Sequence, residues 1–213
     1  MTKAVDRYGG DNVMVAALTK TAAAEVAGRG VPVNPKRIGT LHAHAYRALN
    51  YPKLAETREG VEAWNKSNPS YKLTVPGSST SLDAAVDGMV PMASPGDRHL
   101  SLINVARARM SPISELPAQV RRFHTAWQRW KKETGLFDFT DLIEIAGTSV
   151  HQAPGRPKVI FVDEAQDHDR LELNLVRKWG AEDRAVERLV IVGDPDQNLY
   201  EWRGSDPEAF FDP

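Results

Sequence analysis

The sequence contains no cysteine among its 213 residues. Disulfides, thiolate metal sites and cysteine nucleophiles are therefore excluded, and a reducing compartment, by default the cytoplasm, is the expected location. No apolar run approaches the ~18 residues that a membrane span requires. The N-terminus also lacks the basic-then-apolar order of a signal peptide. We therefore expect a cytoplasmic protein with no membrane association.

The sequence also lacks an excess of positive charge, because its formal net charge is −1 and its isoelectric point is near 6.6. Any binding site for nucleic acid must therefore be local. Hydrophobic residues make up 41% of the chain and both charge signs are well represented, which is typical of a folded globular domain. This length suits one α/β domain, or one such domain carrying a smaller inserted subdomain.

Short apolar runs predict a buried parallel sheet. The strongest strands are predicted at 159–162 and 189–192, each followed closely by a carboxylate, with a helix at 171–179 between them. Weaker strands are predicted at 12–18 and in a segment ending at Ile38. Short strand–helix–strand connections imply parallel strands whose carboxyl ends share one edge of the sheet. Open α/β sheets place their functional sites at that edge.

The middle of the chain predicts an inserted subdomain. Apolar residues there are too sparse for a central sheet, so we predict a sheet domain at 1–50 and 136–213 and a mainly helical insertion at 51–135. Residues 117–134 have helical periodicity and place three aromatic side chains on one face, which we expect to be core. The stripe comprises Phe123, Trp127 and Trp130. The basic residues around it are expected to form a solvated face that could still meet phosphate: Arg121, Arg122, Arg129, Lys131 and Lys132.

Two adjacent acids follow the strongest strand. Asp163 can hold Mg²⁺, directly or through water, while Glu164 polarises an attacking water, as nucleotide hydrolysis requires. An alternative is that this pair only caps the next helix. A metal-dependent nuclease built from Asp163, Glu164 and Asp194 is a further alternative, although the sequence offers it no clear third ligand cluster.

The motifs together carry a family resemblance. DEAQD at 163–167 and VGDPDQNLYEWRG at 192–204 resemble motifs II and III of the UvrD/Rep branch of superfamily 1 helicases. Residues 18–25 resemble motif Ia, residues 39–43 motif Ib, and residues 137–142 the acidic-aromatic motif that precedes motif II. The order is collinear with the family. The resemblance covers nearly the whole chain outside the middle section, where the family inserts subdomain 1B.

The resemblance implies a RecA-like P-loop NTPase fold, with a parallel sheet and helices on both faces, that uses ATP and Mg²⁺. The resemblance further implies that Asp163 binds Mg²⁺, that Glu164 is the general base and that Gln197 senses the γ-phosphate. Arg203 would link nucleotide state to DNA grip, since a guanidinium suits phosphate oxygens. An ordinary surface charge is the alternative for Arg203.

The resemblance also implies single-stranded DNA as a partner. Two rings would stack on bases and four residues would lie along the strand's backbone. Taken alone, a tryptophan at 202 would more often be core, and a histidine at 42 more often a hydrogen-bonded structural residue. Leu18 and Leu41 replace the family's aromatic residues, so two further stacking contacts are not expected. The predicted DNA-binding residues are Thr19, Lys20, Thr40, His42, Tyr200 and Trp202.

The sequence departs from the family by having no phosphate-binding loop. No G-x-x-x-x-G-K-[ST] motif occurs, and no glycine precedes Thr19-Lys20-Thr21 where such a loop would need one. We therefore expect a fragment of an ATP-dependent DNA helicase or translocase that is inactive alone. A partner polypeptide would supply the loop, its strand and the second motor domain, pairing with an exposed strand edge. The alternative is a non-catalytic DNA- or protein-binding module derived from such a domain.

Overall fold

The computed structural model describes residues 1–28, 30–76, 94–206 and 208–211. It divides into two compact units, one formed by Met1–Tyr51 with Leu142–Pro213 and the other by Pro52–Asp141. Part of the predicted insertion, at 77–93, lies outside the described residues, as do the side chains of Lys20 and Arg203.

The first unit contains a parallel sheet of four described strands. They are β1 (Val13–Ala16), β2 (Ile38–Gly39), β3 (Val159–Val162) and β4 (Arg188–Ile191), in the spatial order β2-β1-β3-β4. Every adjacent pair is parallel. The predicted α/β class is thereby confirmed. The bounds of β3 are as predicted, whereas β4 begins and ends one residue earlier than expected, which leaves Val192 outside the strand and 52% exposed.

Eight α-helices lie in the described part of the chain, and none of them is long and apolar enough to cross a membrane. They are α1 (Thr2–Tyr8), α2 (Lys20–Gly28), α3 (Leu41–Ala48), α4 (Arg58–Ser67), α5 (Pro95–Ala108), α6 (Ala118–Thr134), α7 (Phe139–Ser149) and α8 (Arg170–Glu182).

The central strand β1 is buried along its whole length. Its alternate residues Val13 and Val15 pack into a valine cluster with Val5 of α1 and Val26 of α2. Burial on both faces explains why the strand shows no polar alternation in the sequence. Gly9 ends α1 with a φ of 80°, a conformation that glycine adopts without a side-chain clash.

The second unit has an aromatic core. The predicted stripe on α6 is buried, and its three rings pack around Trp64 of α4 with ring centroids 4.9–5.6 Å apart in edge-to-face geometry. Such pairs stabilise a core by about 0.5–1.5 kcal/mol each beyond the area that they bury. The prediction that the stripe is core is confirmed. The rings are those of Phe123, Trp127 and Trp130.

The predicted solvated face of α6 was wrong for Lys131, which is only 3% exposed. Its Nζ lies 2.5 Å from an oxygen of both Asp138 and Asp141, and Arg107 binds the same two carboxylates at 2.6–3.0 Å. Burial opposes the ionised form of Asp138, but the two cations hold its pKa well below the usual range. Burial and the charge of Asp138 raise the pKa of nearby Glu56 to about 8.

Candidate functional site

The motifs converge because the strands are parallel and in register. Ala16 of β1 pairs with Gly39 of β2 and with Val162 of β3, which in turn pairs with Ile191 of β4. These are the last residues of the four strands, so the chain segments that follow them leave from one edge of the sheet. The residues assigned to nucleotide follow β3 and β4, whereas those assigned to DNA follow β1, β2 and, for Tyr200 and Trp202, β4.

The acid pair lies at the end of β3. Asp163 donates its main-chain N–H to the carbonyl of Ala16 at 3.0 Å, while its partly exposed carboxylate has no hydrogen-bond or ion-pair partner among the described residues. A carboxylate without a protein partner offers the hard oxygen atoms that Mg²⁺ prefers. Asp163 is therefore suited to act as one protein ligand of that ion. Glu164 is exposed and has a φ of 51°, a left-handed conformation that costs a non-glycine residue about 1 kcal/mol.

Gln166 connects the two principal motifs, a role for which no signal is visible in the sequence. Its side chain is 1% exposed. The Nε2 group donates to Glu164 Oε2 at 2.8 Å, and Oε1 accepts the main-chain N–H of Asp194 at 3.0 Å. One buried amide therefore fixes both the orientation of the Glu164 carboxylate and the start of the loop that follows β4.

Further hydrogen bonds tie this loop to the segment after β3. Asn198 donates its side-chain amide to the Gln166 carbonyl at 2.8 Å, and the Leu199 N–H donates to Asp167 Oδ1 at 3.0 Å. Gln197 is exposed and donates to Asp194 Oδ2 at 2.5 Å. Burial raises the pKa of Asp167; the hydrogen bond from Leu199 opposes this shift.

The predicted stacking residues lie farther along the same loop. Trp202 is 59% exposed, and its ring centroid is 6.4 Å from that of Tyr200 with an interplanar angle of 40°. The chain then returns to α8, where Asp206 pairs with Arg170 at 2.9 Å. The exposed indole is available to a ligand, which a core tryptophan would not be.

The two threonines assigned to DNA are helix caps. Thr19 Oγ1 accepts the N–H of Ala22 at the start of α2, and Thr40 Oγ1 accepts the N–H of Ala43 at the start of α3, each at 3.1 Å. Thr19 is partly exposed, whereas Thr40 is 5% exposed. Both hydroxyls therefore have a structural function that is independent of DNA.

His42 is 7% exposed, and its Nδ1 lies 3.1 Å from Glu172 Oε1. The other oxygen of Glu172 is 2.9 Å from Nδ1 of the fully buried His168. Burial alone would raise the pKa of Glu172, but the two imidazoles bring it well below the usual range. This arrangement corresponds to the structural alternative for His42, and its contact with DNA stays a prediction.

The structure does not support the alternative of a metal-dependent nuclease. Across the described ranges, no group of three or more histidine or acidic side chains is placed to hold a metal ion. Asp163, Glu164 and Asp194 therefore do not form a three-ligand metal centre within those residues.

The sequence of residues 4–212 matches the family described as the UvrD/REP helicase N-terminal domain. The chain belongs to this family. Its parallel sheet and helices are accordingly those of a RecA-like helicase domain, with the motifs at the carboxyl edge of the strands. The family assignment made from the two principal motifs is confirmed.

The relatives of this chain include two proteins named as helicases and one named as a Gabija protein. YjcD of Bacillus subtilis (strain 168), assigned as an ATP-dependent DNA helicase, is 25% identical over 95% of this chain and 28% of its own length. ATP-dependent DNA helicase PcrA of Staphylococcus aureus (strain Mu50 / ATCC 700699) is 30% identical over 41% of this chain and 12% of its own. Gabija protein GajB of Bacillus cereus (strain VD045) is 47% identical over 24% of this chain and 10% of its own. The chain thus spans less than a third of the length of each of these relatives.

Proposed function

We propose that this domain supplies the magnesium- and water-activating half of an ATP-hydrolysis site, together with a single-stranded DNA surface, in a UvrD/Rep-type DNA helicase or translocase. The observation that carries the proposal is the buried Gln166, which joins Glu164 to the loop bearing Gln197. A module that only bound DNA would have no physical need to orient a general base in this way.

Each residue at the strand ends has a chemical role in this proposal. Mg²⁺ held by Asp163 would neutralise charge that develops on the transferred phosphate. Glu164 would accept a proton from the attacking water, and its exposed carboxylate is held by Gln166 for that purpose. Gln197 and Arg203 would respond to the terminal phosphate, and Gln197 would exchange its present bond to Asp194 for one to the nucleotide.

The phosphate-binding loop is proposed to come from outside these 213 residues, as is the second motor domain. The free edge of β4 supports this, because β4 pairs only with β3 in the described sheet. The N–H groups of Arg188 and Val192 point towards β3, so by alternation those of Leu189 and Ile191 point to the unpaired edge. An added parallel strand would satisfy them and would bring its loop to the same edge of the sheet as Asp163.

DNA-stimulated ATPase activity tests this proposal. The chain alone should neither bind MgATP measurably by titration calorimetry nor hydrolyse it. Adding a polypeptide with the loop, its strand and the second motor domain should restore turnover. In that mixture Glu164→Gln should remove activity, whereas Asp196→Asn, which changes an exposed carboxyl group in the loop after β4, should retain it.

Single-stranded DNA binding is tested separately by fluorescence anisotropy. Trp202→Ala should weaken binding by about 1–3 kcal/mol, the contribution of one base–aromatic stack. Strong DNA binding combined with an inactive but correctly assembled mixture would instead favour the non-catalytic module.

A further inference from the structure

Three hydrogen bonds meet at the side chain of Asn198, a residue to which the proposed function gives no role. Its Nδ2 group donates to the Gln166 carbonyl at 2.8 Å. Its Oδ1 accepts from the Tyr200 N–H and from the Ser205 hydroxyl, each at 2.9 Å. The partly buried amide thus uses its donor and its acceptor together. Asn198 therefore joins the segment after β3 to both ends of residues 198–205, which we call the ring loop.

Both ends of the ring loop are attached to the segment that follows β3. Near its start, the Leu199 N–H donates to Asp167 Oδ1 at 3.0 Å. At its end, Ser205 forms an antiparallel bridge with Asp169 and is 4% exposed. The Ser205 N–H also donates to the Tyr200 carbonyl at 3.2 Å, which closes the loop on itself. The two rings of the loop therefore lie between two fixed ends.

We propose that Asn198 is the positioning residue that holds the rings of Tyr200 and Trp202 in place for stacking on the bases of a single strand. This inference rests on the proposed function, which assigns those rings to DNA. Trp202 is 59% exposed, so its ring is held mainly by the backbone of the ring loop. The closure of that backbone depends on the bonds to Asn198. A loop that is ordered beforehand spares the binding step the entropic cost of ordering it.

The tryptophans of the chain distinguish a positioning role from a general structural one. The chain has five tryptophans, of which four are buried with exposures of 0–7%. Loss of a positioning residue should change the surroundings of Trp202 alone. A general loss of stability should instead change the signals of the buried rings, which report on the two cores. The buried tryptophans are Trp64, Trp127, Trp130 and Trp179.

Fluorine NMR of the 213-residue chain labelled with fluorotryptophan tests the proposal. The Trp202 resonance is identified by its loss in Trp202→Ala. In Asn198→Ala it should become narrower and shift towards its position in the unfolded chain, because the Tyr200 ring no longer lies at a fixed 6.4 Å from the indole. Asn65→Ala is the matched control, because this partly buried amide also donates to a main-chain carbonyl and accepts a main-chain N–H, both of Leu73. It should leave the Trp202 resonance unchanged.

Two further variants show which bonds hold the ring loop. Ser205→Ala removes one donor to Asn198 and should shift the Trp202 resonance in the same direction by a smaller amount. Combined with Asn198→Ala it should add little, because the two residues act through one shared bond. Asn198→Asp retains the accepting oxygen and should return the resonance towards its wild-type position. A Trp202 resonance that is unchanged in Asn198→Ala, or that shifts together with those of the buried rings, would overturn the proposal.

Binding of a fluorescein-labelled oligothymidylate, measured by anisotropy, connects the position of the rings to DNA. Asn198→Ala should weaken binding by about three- to tenfold, which is the cost of ordering one or two side chains on binding. In the background of Trp202→Ala the same change should have a smaller effect. Weaker binding in Trp202→Ala but not in Asn198→Ala would overturn the role of Asn198 alone. Unchanged affinity in Trp202→Ala would overturn the proposed DNA surface and, with it, the purpose of Asn198.

Discussion

The buried amide of Gln166 gives the sharpest prediction for the site. Gln166→Ala removes the donor to Glu164 and leaves the Asp194 N–H without its acceptor. An unsatisfied buried donor costs about 1–3 kcal/mol, and a lost hydrogen bond to a charged group costs about 1.5–3 kcal/mol. Because Glu164 and Asp194 are both exposed and water can replace part of each bond, we expect a net loss near the lower limit, about 2 kcal/mol.

Thermal unfolding monitored by circular dichroism measures this loss. For a chain of this size about 2 kcal/mol corresponds to a decrease in Tm of roughly 4–8 °C. Gln128→Ala is the matched control, because it removes the same side chain from a partly buried helical position. There the side-chain amide lies 3.3 Å from the His124 ring nitrogen Nε2. It should lower Tm by less than half as much.

Gln166→Glu separates the electrostatic part of the effect. It has nearly the same shape, but places a third carboxylate beside Glu164 and Asp167. We expect it to destabilise at neutral pH and to recover on acidification, as the carboxylates become protonated. In the assembled motor, both Gln166 variants should lower kcat by a larger factor than the factor by which they change KM. A Gln166→Ala variant that melts like the wild-type chain would refute the role of Gln166 in joining the two motifs.

Three other predictions concern packing and buried charge. The pKa of Glu56 is raised to about 8 from 4.5, so the folded chain retains a proton that the unfolded chain loses, and stability should fall as pH rises from about 5 through 8. In urea titrations at about pH 5 and at about pH 8, Glu56→Gln should reduce that fall. Lys131→Met should cost about 3–5 kcal/mol in the same assay, since it leaves two buried carboxylates with Arg107 as their one remaining cation. Adding Asp141→Asn should recover part of the loss. Gly193→Ala should destabilise the chain by about 1–3 kcal/mol, because the added Cβ would lie 2.4 Å from Gln166 Oε1 and 2.9 Å from the Ala165 nitrogen. Thermal melts measure this loss. In the control Gly147→Ala the added Cβ meets nothing within 4 Å, so that variant should be neutral or stabilising.

The sheet and the aromatic core could be predicted from the sequence because each depends on local periodicity. A run of four apolar residues and a stripe at helical spacing report burial without any knowledge of distant partners. The predicted bounds of β4 were one residue too late, since Val192 is as apolar as the strand residues but lies outside the strand and is 52% exposed. Periodicity cannot distinguish an apolar strand residue from an apolar residue in the loop that follows.

Long-range polar pairs could not be predicted. Lys131 lies among exposed basic residues on α6, and only the approach of Asp138 and Asp141 shows that it is buried. The second cation of that cluster, Arg107, lies 31 residues before Asp138 in the chain. Likewise Gln166 sits inside a recognisable motif, but its function depends on an N–H group 28 residues farther along. A single sequence contains no signal for such pairings.

The first turn of α8 is where the segments assigned to nucleotide and to DNA meet. Glu172 binds His42, from the segment after β2, and His168, from the segment after β3. Arg170 binds Asp206, beyond the loop after β4. The side chains of His42, His168 and Glu172 are almost fully buried. Because such close-packed groups have no solvent-filled space around them, a displacement of one segment would shift the segments that it contacts. Under the proposed function, the buried carboxylate of Glu172 would be the contact through which a change in the segment after β3 reaches the segment after β2.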